Sequence, residues 1–138
     1  MRVAYLYAVY FGVGLPQENF CWSKGNIWLQ IGRLDRAIGC YRESLRALEN
    51  PRLRALLGWC YHQAGDDKAA LENYRLAFKA QPRHDTALAL AWLEFEVGDR
   101  ATGLSVLKGV QDARERLDPR LAKQLERLEA DFAVGVTS

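Results

Sequence analysis

Hydrophobic residues recur along most of the chain at the three- and four-residue spacing of amphipathic helices. Two consecutive runs show this spacing on either side of Gly65: first Leu53, Leu56 or Leu57, Cys60, Tyr61 and Ala64, then Ala70, Leu71, Tyr74, Ala77 and Phe78. The alternation typical of strands is absent throughout. The pattern therefore predicts an all-α chain built from helical hairpins.

Punctuating residues separate the two predicted helices of each hairpin. Gly65-Asp66 joins a residue that ends helices to one that begins them, and Gly98-Asp99 repeats the arrangement. Pro51 and Pro82 lie near the ends of the hairpins, where the next helix begins.

The hairpins form an internal repeat. Gly32, Gly65 and Gly98 are equally spaced in the sequence, and we call this spacing the repeat interval. The positions that coincide at this interval are Gly32, Gly65 and Gly98; Gly25, Gly58 and Ala91; Ala37, Ala70 and Gly103; Ile38, Leu71 and Leu104; and Tyr41, Tyr74 and Leu107. So many coincidences at one interval indicate stacked repeats. Gly58 and Ala70 are expected to let the two helices of a hairpin approach closely, with Tyr61 and Tyr74 filling the space beside them.

These residues resemble the tetratricopeptide repeat family, whose pattern places Leu-Gly, an aromatic, Gly, Ala, an aromatic, Ala and Pro at fixed offsets. The second unit matches through Leu57-Gly58, Tyr61, Gly65, Ala70, Tyr74, Ala77 and Pro82. The first unit departs at Lys24 and Ser44 and has Pro51 two places late, and the third has Glu94 at an aromatic position. The resemblance covers about Glu18 to Leu117.

The resemblance implies a right-handed superhelix of antiparallel hairpins, a tetratricopeptide-like solenoid. Three repeats are expected within residues 17–118, at about 18–50, 51–83 and 84–117. Residues 119–133 are expected to form an amphipathic capping helix and residues 134–138 a tail. Residues 1–16 are expected to contain an apolar helix that forms half of an incomplete repeat, since Ala4 and Pro16 stand near the family's Ala and Pro. This stretch is too short to span a bilayer, and export is the lesser alternative.

Composition narrows the classes of function. The 19 basic and 17 acidic residues leave a formal net charge of only +2, which gives no strong attraction to nucleic acid or to an acidic membrane. The three cysteines, Cys21, Cys40 and Cys60, form no Cys-x-x-Cys motif. Reduced thiols in a cytoplasmic compartment are therefore expected rather than disulfides or a zinc site.

No catalytic motif is recognisable in the sequence. His62 and His84 are the two histidines, and neither belongs to a nucleophile or metal motif. Asp66, Asp67 and Asp99 stand at predicted helix starts, where a capping role is favoured. We therefore expect neither an enzyme nor a cofactor or metal site.

The resemblance places a partner-binding groove on the first helices of the hairpins. It implies an aromatic-lined concave surface that holds a peptide or an amphipathic helix of another protein, with Trp22, Asn26, Leu29 and Gln30 from the first unit, Arg52, Trp59, His62 and Gln63 from the second, and Leu88, Trp92 and Phe95 from the third. Co-chaperones of the family bind the C-terminal carboxylate of a heat-shock chaperone with a clamp of Lys, Asn and Arg. Here only Asn26 matches this clamp, and Asp85 stands where a cation is needed, so we expect the clamp to be missing.

The sequence therefore favours a non-enzymatic adaptor, scaffold or chaperone-like module. The first alternative is a self-associating assembly protein whose groove is filled by a neighbouring chain. The second is a helical-repeat RNA-binding protein, against which Asp85 and Glu96 argue because RNA requires a basic concave face. Neither the partner nor the pathway follows from the sequence.

Overall fold

The structure, a computed structural model, describes residues 20–133, with side chains from residue 23 onward. Within this range all regular structure is helical. The elements are α1 (Phe20–Ile31), α2 (Leu34–Ala47), α3 (Pro51–Gln63), α4 (Asp67–Ala80), α5 (His84–Val97), α6 (Arg100–Asp112), a 3-10 turn (Arg114–Arg116) and α7 (Pro119–Asp131). The all-α prediction is confirmed. The predicted helix within residues 1–16 and the tail 134–138 lie outside the described residues.

Helix starts follow local sequence signals. Asn50 precedes α3, and its side-chain oxygen accepts hydrogen bonds from the backbone N–H of Arg52 at 2.9 Å and of Leu53 at 3.4 Å. Asp118 caps α7 in the same way, accepting from the N–H of Leu121 at 2.8 Å. Each cap satisfies backbone donors that have no partner within the helix. In both cases a proline follows the cap and occupies the first turn.

Two of the hairpin turns share one geometry. Gly32 and Gly65 have φ of +91° and +88°, in the left-handed region that favours glycine. Beyond each glycine, a backbone N–H reaches back to a carbonyl in the last turn of the helix: Arg33 donates to the carbonyl of Trp28, and Asp66 donates to the carbonyl of Tyr61, both at 2.9 Å. These bonds define the Schellman motif that ends α1 and α3.

Small residues allow the close approach of helices within each hairpin. A Cβ atom added at Gly58 would lie 2.9 Å from the Tyr74 ring and 3.2 Å from the backbone oxygen of Ala70, and one at Gly25 would lie 2.6 Å from the Tyr41 ring. These are the contacts that the sequence predicts for Gly58. The third hairpin differs, because there Gly103 of α6 makes room for the ring of Phe95 from α5, at 2.9 Å from the added Cβ.

The chain divides into two compact units, Met1–Ala77 and Phe78–Ser138. In the first unit, α1, α2 and α3 bury a core of Leu29, Ala37, Tyr41, Leu45, Leu53, Leu56, Leu57 and Cys60. In the second unit, α5, α6 and α7 bury a core of Ala87, Leu88, Ala91, Leu107, Val110, Leu125 and Leu128. Because Leu125 and Leu128 of α7 are buried in this second core, α7 covers apolar side chains of α5 and α6.

Candidate functional site

Helix α3 presents an accessible stripe next to its buried face. Arg52, Ala55, Trp59 and His62 follow one another at spacings of three and four residues, which places them on one side of the helix. Arg52 lies near one end of the helix and Gln63, next to His62 in sequence, at the other, and both are exposed. Ala55, Trp59 and His62 are half-buried. Because Trp59 packs against the core of the first unit, only part of its indole is left accessible to solvent.

His62 is tied to the hairpin turn. Its Nδ1 shares a hydrogen bond with the Oδ1 of Asp67 at 2.6 Å, and the two side chains are 36% and 31% exposed. The bond joins the last turn of α3 to the first turn of α4. His62 therefore forms a polar edge of the stripe and is held in place by a neighbour from the same hairpin.

A second polar connection braces the same two helices. The guanidinium of Arg54 binds the carboxylate of Glu49 through two hydrogen bonds, of 2.8 Å and 2.9 Å, and donates a third to the side-chain oxygen of Asn73 at 3.0 Å. Asn73 in turn donates to the backbone oxygen of Ala69 at 2.8 Å. The Arg54 guanidinium lowers the pKa of Glu49 from its usual value. Sequence reasoning missed this network because its members belong to three different parts of the chain.

The predicted groove residues of α1 divide between core and surface. Gln30 is exposed. Asn26 is half-buried, and its side-chain oxygen accepts a hydrogen bond from the Tyr41 hydroxyl at 2.6 Å. Leu29 differs from the expectation that it points into the groove: it is 5% exposed and belongs to the core of the first unit, because its side of α1 faces that core. The side chain of Trp22 lies outside the described residues.

The predicted groove residues of the second unit divide in the same way. Trp92 is half-buried and packs against the core of that unit. Leu88 again differs from the expectation, because it is 4% exposed and part of the core. Phe95 packs within the unit, with its ring centroid 4.9 Å from that of Phe132 and the guanidinium of Arg100 at 5.3 Å from its centroid. Like Trp92, Phe95 is half-buried, and its ring contacts Arg100 of α6 and Phe132, which follows α7; its place in a groove stays a prediction.

The described residues were compared with the requirements of a metal site and of a reactive thiol. No group of three or more His, Cys, Asp or Glu side chains in residues 23–133 is placed to hold a metal ion. Burial raises the pKa of the Cys60 thiol to about 12, so this sulfur stays protonated and is a poor nucleophile. Among the helices of this range, none combines the length and the apolarity that crossing a bilayer requires.

Comparison with known proteins identifies the repeat. A sequence model of the tetratricopeptide repeat matches residues 51–84, the segment formed by α3, Gly65, α4 and the following proline. Residues 51–84 therefore form a tetratricopeptide repeat. A comparison with curated protein sequences finds no match.

The tetratricopeptide fold extends beyond the matched segment. The crystal structure of yeast Tom70 is similar to this chain with a TM-score of 0.67 and 25% sequence identity, over 82% of this chain. The chain spans only 23% of the length of that structure. Tetratricopeptide proteins are typically non-enzymatic modules for protein–protein interaction, which is the general function that the repeat and the fold support here.

Proposed function

We propose that this tetratricopeptide protein is a non-enzymatic adaptor that binds a peptide or an amphipathic helix of a partner protein. The observation that supports the proposal best is the accessible stripe Arg52–Ala55–Trp59–His62 of α3, which adjoins a face whose residues are buried in the core. A part-exposed tryptophan on a rigid helix is the type of residue that dominates binding energy at protein interfaces.

The dimensions of the stripe suit a short segment of protein. Arg52 and Gln63 stand near the two ends of α3, a separation that corresponds to about 16 Å along a helix. An extended peptide of about five residues, or about three turns of helix, covers that length. In this proposal the partner buries an apolar side chain on Trp59, and Arg52 and Gln63 set its register through polar contacts.

The second unit supplies a related residue. Trp92 stands one repeat interval after Trp59 on the first helix of its own hairpin and is also half-buried. We therefore assign Trp92 of the second unit to partner binding. In the first unit we assign the exposed Gln30 and the half-buried Asn26 of α1 to the same role. The continuous groove that the family resemblance implies stays a prediction.

The missing carboxylate clamp remains part of the proposal. Asp85, which stands where a clamp would need a cation, is paired with Arg83 at 3.2 Å and accepts a hydrogen bond from the backbone N–H of Thr86 at 2.8 Å. A chain-terminal carboxylate would meet like charge at this position. A partner bound through internal side chains is therefore favoured over one bound by its C-terminus.

A cytoplasmic location and a scaffold or chaperone-like role belong to the same proposal. Cys40 and Cys60 are free thiols, which fits a reducing compartment. A scaffold or a chaperone would use the stripe in the same way, by covering an apolar segment of another protein.

The test is affinity capture from a native lysate, followed by binding measurements with the partner identified. The variants are Trp59→Ala, which removes the anchor, and the surface pair Arg52→Glu/Gln63→Glu, which leaves the core untouched. Leu76→Ala is the matched control, because Leu76 is a 50% exposed apolar residue of α4 outside the stripe. Circular dichroism verifies that each variant is folded.

We expect Trp59→Ala to weaken binding by about 30-fold, the effect of a loss of about 2 kcal/mol at a hot spot. Leu76→Ala should bind as the wild type does. Equal binding by all folded variants would overturn the stripe as the site. A stable oligomer of the 15.7 kDa chain in sedimentation velocity, lost in Trp59→Ala, would assign the stripe to self-association instead.

A further inference from the structure

One face of α1 is exposed where its counterparts in the other hairpins are buried. Ile27 is 57% exposed, whereas Cys60 and Leu93, which stand one and two repeat intervals later, are 0% and 2% exposed. The same holds one turn earlier, where Lys24 is exposed and its counterparts Leu57 and Leu90 are 1% and 3% exposed. One turn after Ile27, Ile31 extends the apolar face and is 64% exposed, but its counterparts Ala64 and Val97 are exposed as well, so the contrast between hairpins rests on positions 24 and 27.

The helix that precedes α3 explains the burial of the corresponding face there. Leu57 and Cys60 belong to the core that α3 shares with Tyr41 and Leu45 of α2, the second helix of the hairpin before it. The equivalent covering helix for α1 would come from the residues that precede Phe20. When an isoleucine on a helix of a repeat stack is mostly exposed to solvent, the face that carries it lacks the helix that would normally cover it.

We propose that residues 3–15 of the same chain, VAYLYAVYFGVGL, dock on the Lys24–Ile27–Ile31 face of α1 as a helix equivalent to α2, which covers the corresponding face of α3. The register of the repeat supports this occupant. Three buried positions of α2 each correspond to an apolar residue one repeat interval earlier: Ala37, Tyr41 and Ser44 correspond to Ala4, Ala8 and Phe11. Pro16 falls in register with Pro82, two intervals later.

The connection is also of suitable length. Residues 16–19 would join the docked segment to α1, and three residues join α2 to α3 and α4 to α5. Connections of about two to eight residues are usual between helices that pack as antiparallel neighbours. A segment tethered this closely has a high effective concentration at the face, which favours it over a separate molecule.

Lys24, the polar residue of this face, would find suitable neighbours in residues 3–15. Lys24 replaces a buried leucine, and its ammonium group needs a polar or aromatic neighbour when its stem is covered. The segment carries Tyr5, Tyr7 and Tyr10, whose rings and hydroxyls supply such neighbours.

Hydrogen exchange of the full chain, read by mass spectrometry, tests the proposal. In the wild type we expect the amides of residues 3–15 to exchange at least about 10-fold more slowly than an unstructured peptide of that sequence. Ile27→Asp places a charge on the docking face and should remove this protection, while the protection of α3 is kept. Phe11→Asp, made in the segment itself, should have the same effect.

Leu76→Asp is the matched control, since Leu76 is an apolar residue of α4 with a similar exposure of 50%. It should leave the exchange of residues 3–15 unchanged. Unprotected exchange of this segment in the wild type would overturn the proposal, as would protection that survives both Ile27→Asp and Phe11→Asp. Protection that disappears on dilution, together with a dimer in sedimentation velocity, would overturn it in favour of a second copy as the occupant.

Discussion

The carboxylate of Glu94 accepts a hydrogen bond from the backbone N–H of Asp99 at 3.1 Å. In the two preceding hairpins the equivalent N–H groups, of Arg33 and Asp66, donate to the backbone carbonyls of Trp28 and Tyr61. In the third hairpin a side-chain oxygen thus replaces a main-chain oxygen at the same point of the repeat. The turn also changes, because Gly98 has φ of −118° in place of the positive φ of Gly32 and Gly65.

This relationship predicts that Glu94 is a structural residue of the third hairpin. Glu94 is 0% exposed, so Glu94→Ala should lower the free energy of unfolding by about 2–4 kcal/mol, through the lost hydrogen bond and the cavity. Glu94→Gln retains an oxygen acceptor and should cost less. Urea denaturation followed by circular dichroism measures both effects. The control is Glu96→Ala, an exposed site on the same helix, where a change within about 0.5 kcal/mol is expected. Equal effects of Glu94→Ala and Glu96→Ala would contradict the assignment.

Glycines of the repeat are predicted to respond to alanine in opposite directions. In Gly58→Ala the new Cβ would meet the Tyr74 ring and the Ala70 backbone oxygen, and backbone cannot move aside as a flexible side chain can. Overpacking costs about 1–3 kcal/mol, against a gain of about 1 kcal/mol in helix propensity, so a net loss of stability is expected. Gly39→Ala in α2 has no atom within 4 Å of its new Cβ and should stabilise the chain by up to about 1 kcal/mol.

Thermal and urea unfolding of the two variants measure the difference directly. Both substitutions are the same chemical change within a helix, so only the surroundings of the glycine differ. A stabilising Gly58→Ala would show that α3 and α4 can separate at little cost, and would remove the packing explanation for this glycine.

The extent to which sequence predicted this fold differs between hairpins. In the second hairpin, Pro51, Gly65 and Asp66 act on residues close to them in sequence, and the helices begin and end where these signals lie. In the third hairpin the glycine lies on the second helix and the aromatic ring on the first, because Phe95 of α5 fills the space at Gly103 of α6. Sequence position alone assigned Phe95 to the groove. The glycine at position 103, where the other units have Ala37 and Ala70, was the signal of extra space.

The candidate site was predictable only in part. The spacing along α3 separates residues that are accessible from residues that are buried, while the binding role of the accessible ones stays a prediction. The same kind of argument failed for Leu29 and Leu88, which are buried in the two cores. Helical spacing defines which residues share a side, but which side a neighbouring helix covers depends on contacts that are distant in sequence. The Arg54–Glu49–Asn73 network was missed for the same reason.

The Glu49–Arg54 ion pair predicts a small pH dependence of stability. Because the pKa of Glu49 is lowered by Arg54, the folded state holds the carboxylate ionised more strongly than the unfolded state does. The resulting stabilisation is present above the usual pKa of 4.5 and is lost as the pH falls through the lowered folded-state pKa. Glu49 is 57% exposed, so the contribution should be under about 1 kcal/mol.

Urea unfolding of wild type and Glu49→Gln at a series of pH values measures this contribution. We expect the wild type to be the more stable at pH 7 and the two proteins to converge as the pH falls below 4.5 and through the lowered pKa of folded Glu49. The exposed Glu43→Gln in α2 is the control and should show no such convergence. A difference that is constant from pH 7 to pH 3 would contradict a role for the Glu49 charge.

The thiol of Cys60 is predicted to resist alkylation in the folded protein. Cys60 is 0% exposed and burial raises its pKa to about 12, so at pH 8.5 both access and the thiolate fraction are low. Cys40 is only half-buried and should react with iodoacetamide at least about 10-fold faster, as measured by mass spectrometry of the resulting peptides. In concentrated urea the two thiols should react at similar rates, which serves as the control. Equal rates in the native protein would show that α3 opens readily and that the core around Cys60 does not exclude solvent.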